Sequence, residues 1–404
     1  MPHVRRPQPR RPLLSAAIVT TTALAGLAAV TAPSGAAPVV ADTDAPAQVG
    51  RARAATVVGL SMRREISNQV ASRAVVTVTR PGGRVAAGRL VVRSGKRVLA
   101  RAVTAEGKRL RVVLELRRLG AGQHRVSASF SSQGRRLGRS NAVSVTARPG
   151  CAWRPHVCAF ASAATAGVPR GTRLRPSGSV TVNRPGTVID GLDISGTLTI
   201  SASDVTVRNT RVRGSGFSVV NIGRGSTGVV IRNVEVDGLG TSGTAGSSGI
   251  VGGSPRILHT SVTGVENGFV PGSGTRIRNS YVHGLDSPGQ PHYDGIQIDG
   301  GVADISVTGS TVDVSNHTQT SAVMIDNYFG PISNVAVVGN LLIGGGFTVY
   351  ADGNFSDTDD IDTVTYANNR LVRGYYGYSL VRNAGVRWSG NVVDQTGSPV
   401  QLHR

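Results

Sequence analysis

The sequence predicts an all-β chain, a small β-sandwich followed by a parallel β-helix of about nine rungs. Three observations predict it. A short apolar motif recurs along the last 250 or so residues with a variable period in the twenties, the mark of a stacked solenoid. Short alternating runs separated by turn residues fill positions 56–147, the mark of a sandwich. Glycine makes up 53 of 404 residues, about 13% against a usual share of about 7%, with no Gly-X-Y period to suggest collagen.

The N-terminus comes first. Arg5, Arg6, Arg10 and Arg11 open the chain, Leu13 to Val30 is uncharged and apolar, and small residues follow up to Ala41. That order reads as a secretory signal peptide over 1–41, with a linker over 42–55. The product is expected to be secreted, extracellular or associated with a cell wall, and free of the membrane once the signal is removed.

In the sandwich, Ala74 to Thr79 alternates before the Pro81-Gly82-Gly83 turn. Leu90 to Val92 and Val98 to Val103 flank Ser94-Gly95, Leu110 to Leu116 alternates again, and Ala142 to Ala147 closes the set. Turns every 8–12 residues or so fit a sandwich. The stretch Gly120-Ala121-Gly122-Gln123-His124-Arg125-Val126 resembles the closing hairpin of bacterial Ig-like repeat domains. The resemblance implies an Ig-like β-sandwich over 56–147, with His124 in a structural role.

A linker over 148–177, expected to cap the start of the helix, holds both cysteines. Cys151 and Cys158 form a disulfide in the simplest reading of an even pair in a secreted chain. Zinc held with His156 is the alternative.

The helix over 178–404 repeats segments such as Val207-Arg208-Asn209-Thr210-Arg211-Val212 and Ile277-Arg278-Asn279-Ser280-Tyr281-Val282. Starting at Val188, successive segments are 19, 24, 26, 20, 30, 30, 29 and 22 residues apart. Asn209, Asn233, Asn279 and Asn368, with Gly309, Gly339 and Gly390, occupy one turn position, where left-handed backbone angles are expected. Nine rungs at 4.7–4.9 Å per strand make a rod about 40 Å long. Residues 158–404 resemble right-handed parallel β-helix proteins of the pectate-lyase-like superfamily, especially secreted actinobacterial ones. The resemblance rests on the repeats, on Thr165-Ala166-Gly167-Val168-Pro169-Arg170-Gly171, and on His292-Tyr293-Asp294-Gly295-Ile296-Gln297. It implies a fold shared by lyases, hydrolases, epimerases and non-catalytic adhesin parts, so the activity has to come from the residues.

One interval stands apart. Between Arg278 and Arg370 there is no Lys or Arg and there are eleven Asp, and the period is longest there, so loops should bulge between rungs. Strand alternation turns Ile296 and Ile298 inward and leaves Gln297 and Asp299 outward. It likewise turns Val323 and Ile325 inward and leaves Met324 and Asp326 outward. Stacking of successive rungs predicts one groove with His292, Asp294 and Asp326 as catalytic groups. Tyr293, Gln297, Tyr350 and Arg382 are the expected substrate contacts. Facing carboxylates suit acid/base chemistry, since repulsion keeps one protonated beside an ionised partner. In a hydrolase their separation would be about 5–5.5 Å or about 6.5–9.5 Å, according to stereochemistry. Pectate lyases of the superfamily hold calcium with Asp and use Arg as base, which this interval lacks. His292 or Tyr350 would then be the base, with calcium held by Asp352, Asp357, Asp359 and Asp360 in an oxygen-rich loop.

The expected function is therefore secreted polysaccharide cleavage in a groove on the β-helix, with elimination favoured. The alternatives are a glycoside hydrolase with paired Asp and a non-catalytic wall- or glycan-binding protein. The net charge of +21 does not indicate nucleic acid, because residues 1–150 carry 26 − 5 = +21 and residues 151–404 carry 18 − 18 = 0. Aromatics at 4% also leave few platforms for stacking bases. Without the signal peptide, 42–150 keep 22 − 5 = +17, which suits an anionic wall polymer as partner of the Ig-like domain. A monomer is expected.

Overall fold

A computed structural model describes residues 55–403, so the expected signal peptide and the linker up to residue 54 lie outside the described residues. Backbone contacts divide the chain into two units after Arg148. Among the described residues no helix is long and apolar enough to cross a membrane.

The first unit is a sandwich of two sheets. Val57–Met62, Ser72–Thr79 and Arg109–Leu116 form a three-stranded antiparallel sheet. The other runs Glu65–Ser67, Val143–Arg148, Gly122–Ser132, Gly88–Ser94, Arg97–Thr104, with Arg135–Arg139 beside Gly122–Ser132. Alternation decides which side is wet: Arg109–Leu116 buries Leu110, Val112, Leu114 and Leu116 and exposes the residues between. Val76, Leu90, Phe130 and Val145 meet these in one core. His124 Nε2 lies 2.7 Å from the Gly120 carbonyl, to which it donates, a structural bond that closes the turn.

The second unit is a parallel β-helix. Ten strands from Arg175–Ser177 to Val392–Val393 form its first sheet. Nine from Val180–Val182 to Gly377–Arg382 form the second, and nine from Val188–Asp190 to Ala384–Ser389 form the third. Each strand pairs in parallel with the strand one coil later, which gives nine complete coils. Inside, like stacks on like. Val207, Ile231, Ile257, Ile277, Val307, Val337 and Tyr366 follow one another in register and are all buried. Each such side chain contributes about 1.5–3 kcal/mol on leaving water.

The turn column behaves as its composition demands. Asn209, Asn233, Asn279 and Asn368 have φ of 48°, 54°, 50° and 55°, and Gly309, Gly339 and Gly390 match them at 60°, 66° and 62°. Asn233 Nδ2 donates to Asn209 Oδ1 at 3.3 Å, so amides stack there. A second, buried ladder lies one residue further on. Asn340 Nδ2 donates to Asn369 Oδ1 at 3.2 Å and Asn369 Nδ2 to Asn391 Oδ1 at 2.9 Å. In earlier coils Ser280 and Ser310 take that place. These bonds hold coil on coil.

The segment expected to cap the helix start does something different. Cys151 and Cys158 are disulfide-bonded, which removes the zinc alternative. Asp394 of the last coil accepts hydrogen bonds from Cys151 N at 2.8 Å and Ala152 N at 3.0 Å. Further along, Ala161 N bonds Gly309 O and Gly167 N bonds His259 O. This segment thus begins at the last coil, at Cys151, and runs back along the rod before entering the first strand. It is a lengthwise strap rather than a cap, because its backbone groups find partners on successive turns of the coil.

Candidate active site

The interval without Lys or Arg builds successive strands of the second sheet: Asp294–Ile298, Val323–Ile325, Phe347–Asp352 and, just beyond it, Gly377–Arg382. Ile298 pairs with Ile325, so the next residues, Asp299 and Asp326, fall side by side where the chain leaves the sheet. Asp326 in turn pairs with Asp352, and Asp352 with Arg382. Four charged side chains therefore stack in one column over four coils, at about 4.7–4.9 Å per step.

Their environments differ. Asp352, 1% exposed, receives the Arg382 guanidinium on Oδ2 and the Asn354 N–H on Oδ1 at 3.2 Å. Asp326, 6% exposed, accepts the Tyr328 N–H on Oδ1 at 3.0 Å. Burial raises its pKa, the Tyr328 bond opposes that, and the Asp352 charge adds to it. Asp299 has the strongest perturbation among the groups facing solvent. Burial, then the Asp326 charge and a hydrogen bond to Asp326, push it up to about 7, and only Gln297 pulls the other way. Asp299 Oδ1 is buried without an ordinary donor. Asp299 and Asp326 thus form a pair of neighbouring carboxyl groups, both with raised pKa values, that titrate together.

Asp299 opens into a cleft of about 620 Å³. Gln297, Asp299, Gly300, Gly301 and Phe329 line one end, and Pro271, Ser273, Ser254 and Arg224 continue it over earlier coils. Gly300 is required at this wall: its φ is +108° and a Cβ would sit 2.6 Å from Gly330 O.

Asp326, Gln297 and Arg382 are thus brought to one end of the second sheet. The other expected site residues are not. Asp294 shares the parity of Ile296 and Ile298, so it points inward; it is 2% exposed and accepts Ser321 N at 3.1 Å. Burial holds its carboxyl well above the usual range, with the Ser321 bond opposing. His292 and Tyr293 lie before the strand, at the opposite end of the sheet from Asp326. The five residues Asp294–Ile298 intervene, about 17 Å of strand. They line a separate cleft of about 460 Å³, where Tyr293 stacks on His317 at 3.5 Å. Tyr350 faces outward near Phe347, whose ring meets it edge-on at 5.5 Å, away from the acid pair's end of the strand.

The expected calcium set is not assembled either. Among the described residues no group of three or more His, Cys, Asp or Glu converges on a metal position. Asp352 is committed to Arg382, and Asp359 accepts from Ser356 Oγ at 2.8 Å. Asp357 and Asp360 point to solvent. The loop is organised by buried Asn327 instead. Its Nδ2 donates to Gly353 O at 3.2 Å and Ser356 O at 3.0 Å, and its Oδ1 accepts Phe355 N at 3.1 Å.

Asp299, Tyr328, Phe329 and Phe355 complete the site and were not among the expected catalytic or contact residues. A signal for the first exists. An apolar residue followed by a charge ends each strand at Ile298-Asp299, Ile325-Asp326, Ala351-Asp352 and Val381-Arg382, in steps of 27, 26 and 30 residues. The aromatics sit in loops with no period, so no such signal marks them.

No protein-family model matches the chain, and no curated protein matches it. Among solved structures it is similar to an alginate lyase from Paenibacillus sp. str. FPU-7, with a TM-score of 0.27 and 11% identity over 53% of this chain and 98% of that one. It is also similar to pectate lyase PelI from Erwinia chrysanthemi, solved with tetragalacturonic acid, at a TM-score of 0.16 and 13% identity over 83% of this chain and 100% of that one. A third is pectate lyase Pel3 from Pectobacterium carotovorum, at 0.18 and 10% over 80% and 91%. Scores of this size carry no weight for the activity. The parallel β-helix rests on its own ladders.

Proposed function

We propose that the protein is a secreted enzyme that cleaves a polysaccharide by acid/base chemistry at Asp299, with hydrolysis as the reaction. The observation that carries this reading is the Asp299–Asp326 pair, two carboxyl groups side by side at the end of the second sheet, of which Asp299, pushed up to about 7, faces an open cleft. Glycosidic cleavage needs a group still protonated near neutral pH to meet the leaving oxygen. Asp299 gives that oxygen its proton, the pair then carries the negative charge, and it accepts the proton released by the attacking water. Elimination, the arm favoured by the superfamily resemblance, needs a cation to neutralise a uronate. In the acid column the cation Arg382 is already bound to Asp352.

The experiment is a polysaccharide screen that reads new reducing ends together with ultraviolet absorbance of an unsaturated product. Reducing ends without that absorbance are expected. Asp299→Asn should lower turnover about 10²–10⁴-fold, the usual worth of a positioned acid, while melting stays that of the parent. An unsaturated product would replace hydrolysis by elimination. Equal turnover in the variant would remove Asp299 from the chemistry.

The sandwich supports an anchoring role. Its strand order, Val57–Met62, Ser72–Thr79, Arg109–Leu116 opposite Val143–Arg148, Gly122–Ser132, Gly88–Ser94, Arg97–Thr104, supports the Ig-like reading. Its excess of cations suits an anionic wall polymer. Retention on an anionic matrix should fall steeply as salt rises, and salt-independent retention would overturn this part.

A further inference from the structure

Three large apolar side chains stand in water beside the acid pair. Tyr328, Phe329 and Phe355 are 62%, 70% and 49% exposed. Tyr328 meets Phe329 edge-on at 4.7 Å and Phe355 at 6.5 Å, so they form one patch. Contiguous exposed apolar surface of this kind marks a binding site more often than a lone exposed residue does.

The patch is held in place by the site itself. The Tyr328 N–H bonds Asp326 Oδ1 at 3.0 Å, the Phe329 N–H bonds Asp299 O at 2.7 Å, and the Phe355 N–H bonds Asn327 Oδ1 at 3.1 Å. Phe329 also lines the cleft into which Asp299 opens. The backbone that carries the rings is therefore tied to Asp299, Asp326 and Asn327, which holds the patch at the rim of the cleft.

Charge narrows the occupant. No Lys or Arg occurs between Arg278 and Arg370, Asp357 and Asp360 are exposed on the loop that carries Phe355, and Arg382 is paired with Asp352. Of the residues lining the cleft the cation is Arg224, three coils from Asp299 and about 14 Å away at the strand spacing. A sugar carboxylate on the patch would meet Asp side chains and no free cation.

We infer that the Tyr328–Phe329–Phe355 patch is a stacking platform for a pyranose without a carboxylate, neutral or amino-substituted, at the subsite adjoining Asp299. The inference rests on the glycan-cleaving reading for its site but not for its test. The apolar face of the sugar ring lies on Phe329, the ring that lines the cleft, with Tyr328 and Phe355 set at steep angles around it, and its hydroxyl or amino groups face the carboxylates.

Affinity electrophoresis of the full chain carrying Asp299→Asn, in gels containing neutral, amino-sugar or uronate polymers, measures binding without turnover. At least one neutral or amino-sugar polymer should retard the protein. Adding Phe329→Ala should weaken that retardation about 5–10-fold, and Phe329→Trp should restore it. Both substitutions are at an exposed ring, and an unchanged melting temperature checks the fold. Retardation by uronate polymers alone, by no polymer, or undiminished in Phe329→Ala would overturn the inference. A failure of the acid assignment would show in the cleavage screen and leave this result standing.

Discussion

The first coils and the later coils of the β-helix treat their carboxylates in opposite ways. In the first, Asp190 meets Arg208 at 2.9 Å and Asp193 meets Arg211 at 2.9 Å, each across one coil. Hydrogen bonds, from Asn209 to Asp190 and from Arg211 to Asp193, lower both pKa values. In the later coils Asp299 meets Asp326 and Asp326 meets Asp352, and the pKa values of the first two are raised. The register of a solenoid places one residue of each coil over one of the next, so the sequence chooses whether a column alternates in sign or repeats it. Repetition costs stability, and here it occurs where Asp299 faces a cleft. The difference separates a column whose carboxylates are neutralised by Arg, with lowered pKa values, from one whose carboxylates repel, with raised ones.

The largest way to break this comparison is the loss of turnover already expected for Asp299→Asn. Next comes Asp326→Asn, which removes the repelling charge and leaves an isosteric neighbour. Activity that needs protonated Asp299 should fall in the parent as pH rises through about 7. In the variant the alkaline limb should move to lower pH. A shift of one unit costs about fivefold at pH 7 and approaches about tenfold at higher pH. A pH–rate profile with an unmoved alkaline limb would show that Asp326 does not tune Asp299.

A third test concerns Asp294, which is buried inside the coil and takes no part in the cleft. Its carboxyl is held well above its unfolded value by burial. The folded state therefore keeps the proton longer than the unfolded one. The stability this supplies is complete below the unfolded pKa of about 3.9 and is lost as pH rises through the folded value. Asp294→Asn mimics the protonated acid and should remove that loss, by up to about 1.4 kcal/mol per pH unit in the window. Urea unfolding of both proteins from acid to neutral pH measures it, and parallel curves would contradict the burial account.

The parallel β-helix was legible because its core is periodic. Val207, Ile231, Ile257 and Ile277 recur in register, and the Asn and Gly of the turn column have the left-handed angles their residue types prefer. The site was legible in part. Gln297, Asp326 and Arg382 follow from strand alternation, but the same alternation sends Asp294 inward with Ile296, and proximity in sequence wrongly grouped it with the outward residues. His292 was separated from Asp326 by strand direction, which motif spacing alone does not record. The acidic loop looked like a cation site because its many carboxylates are visible in the sequence, whereas the buried amide of Asn327 that organises it is one residue among many. The strap depends on contacts such as Cys151 with Asp394, 243 positions apart, which no local pattern encodes.

The smallest effect belongs to the alternating column. The Asp193–Arg211 pair has good geometry, yet the side chains remain 26% and 30% exposed, so water and salt screen the attraction. Asp193→Ala should cost less than about 1 kcal/mol, and the loss should shrink further in high salt. Arg211 would then face solvent beside Glu235, whose strand position it shares across the next coil, which limits the penalty of stranding its charge. Thermal unfolding in low and high salt checks this. A loss of several kcal/mol, insensitive to salt, would mean that the ion pairs of the early coils hold the rod as strongly as its apolar stacks, and that the two columns differ in sign but not in structural weight.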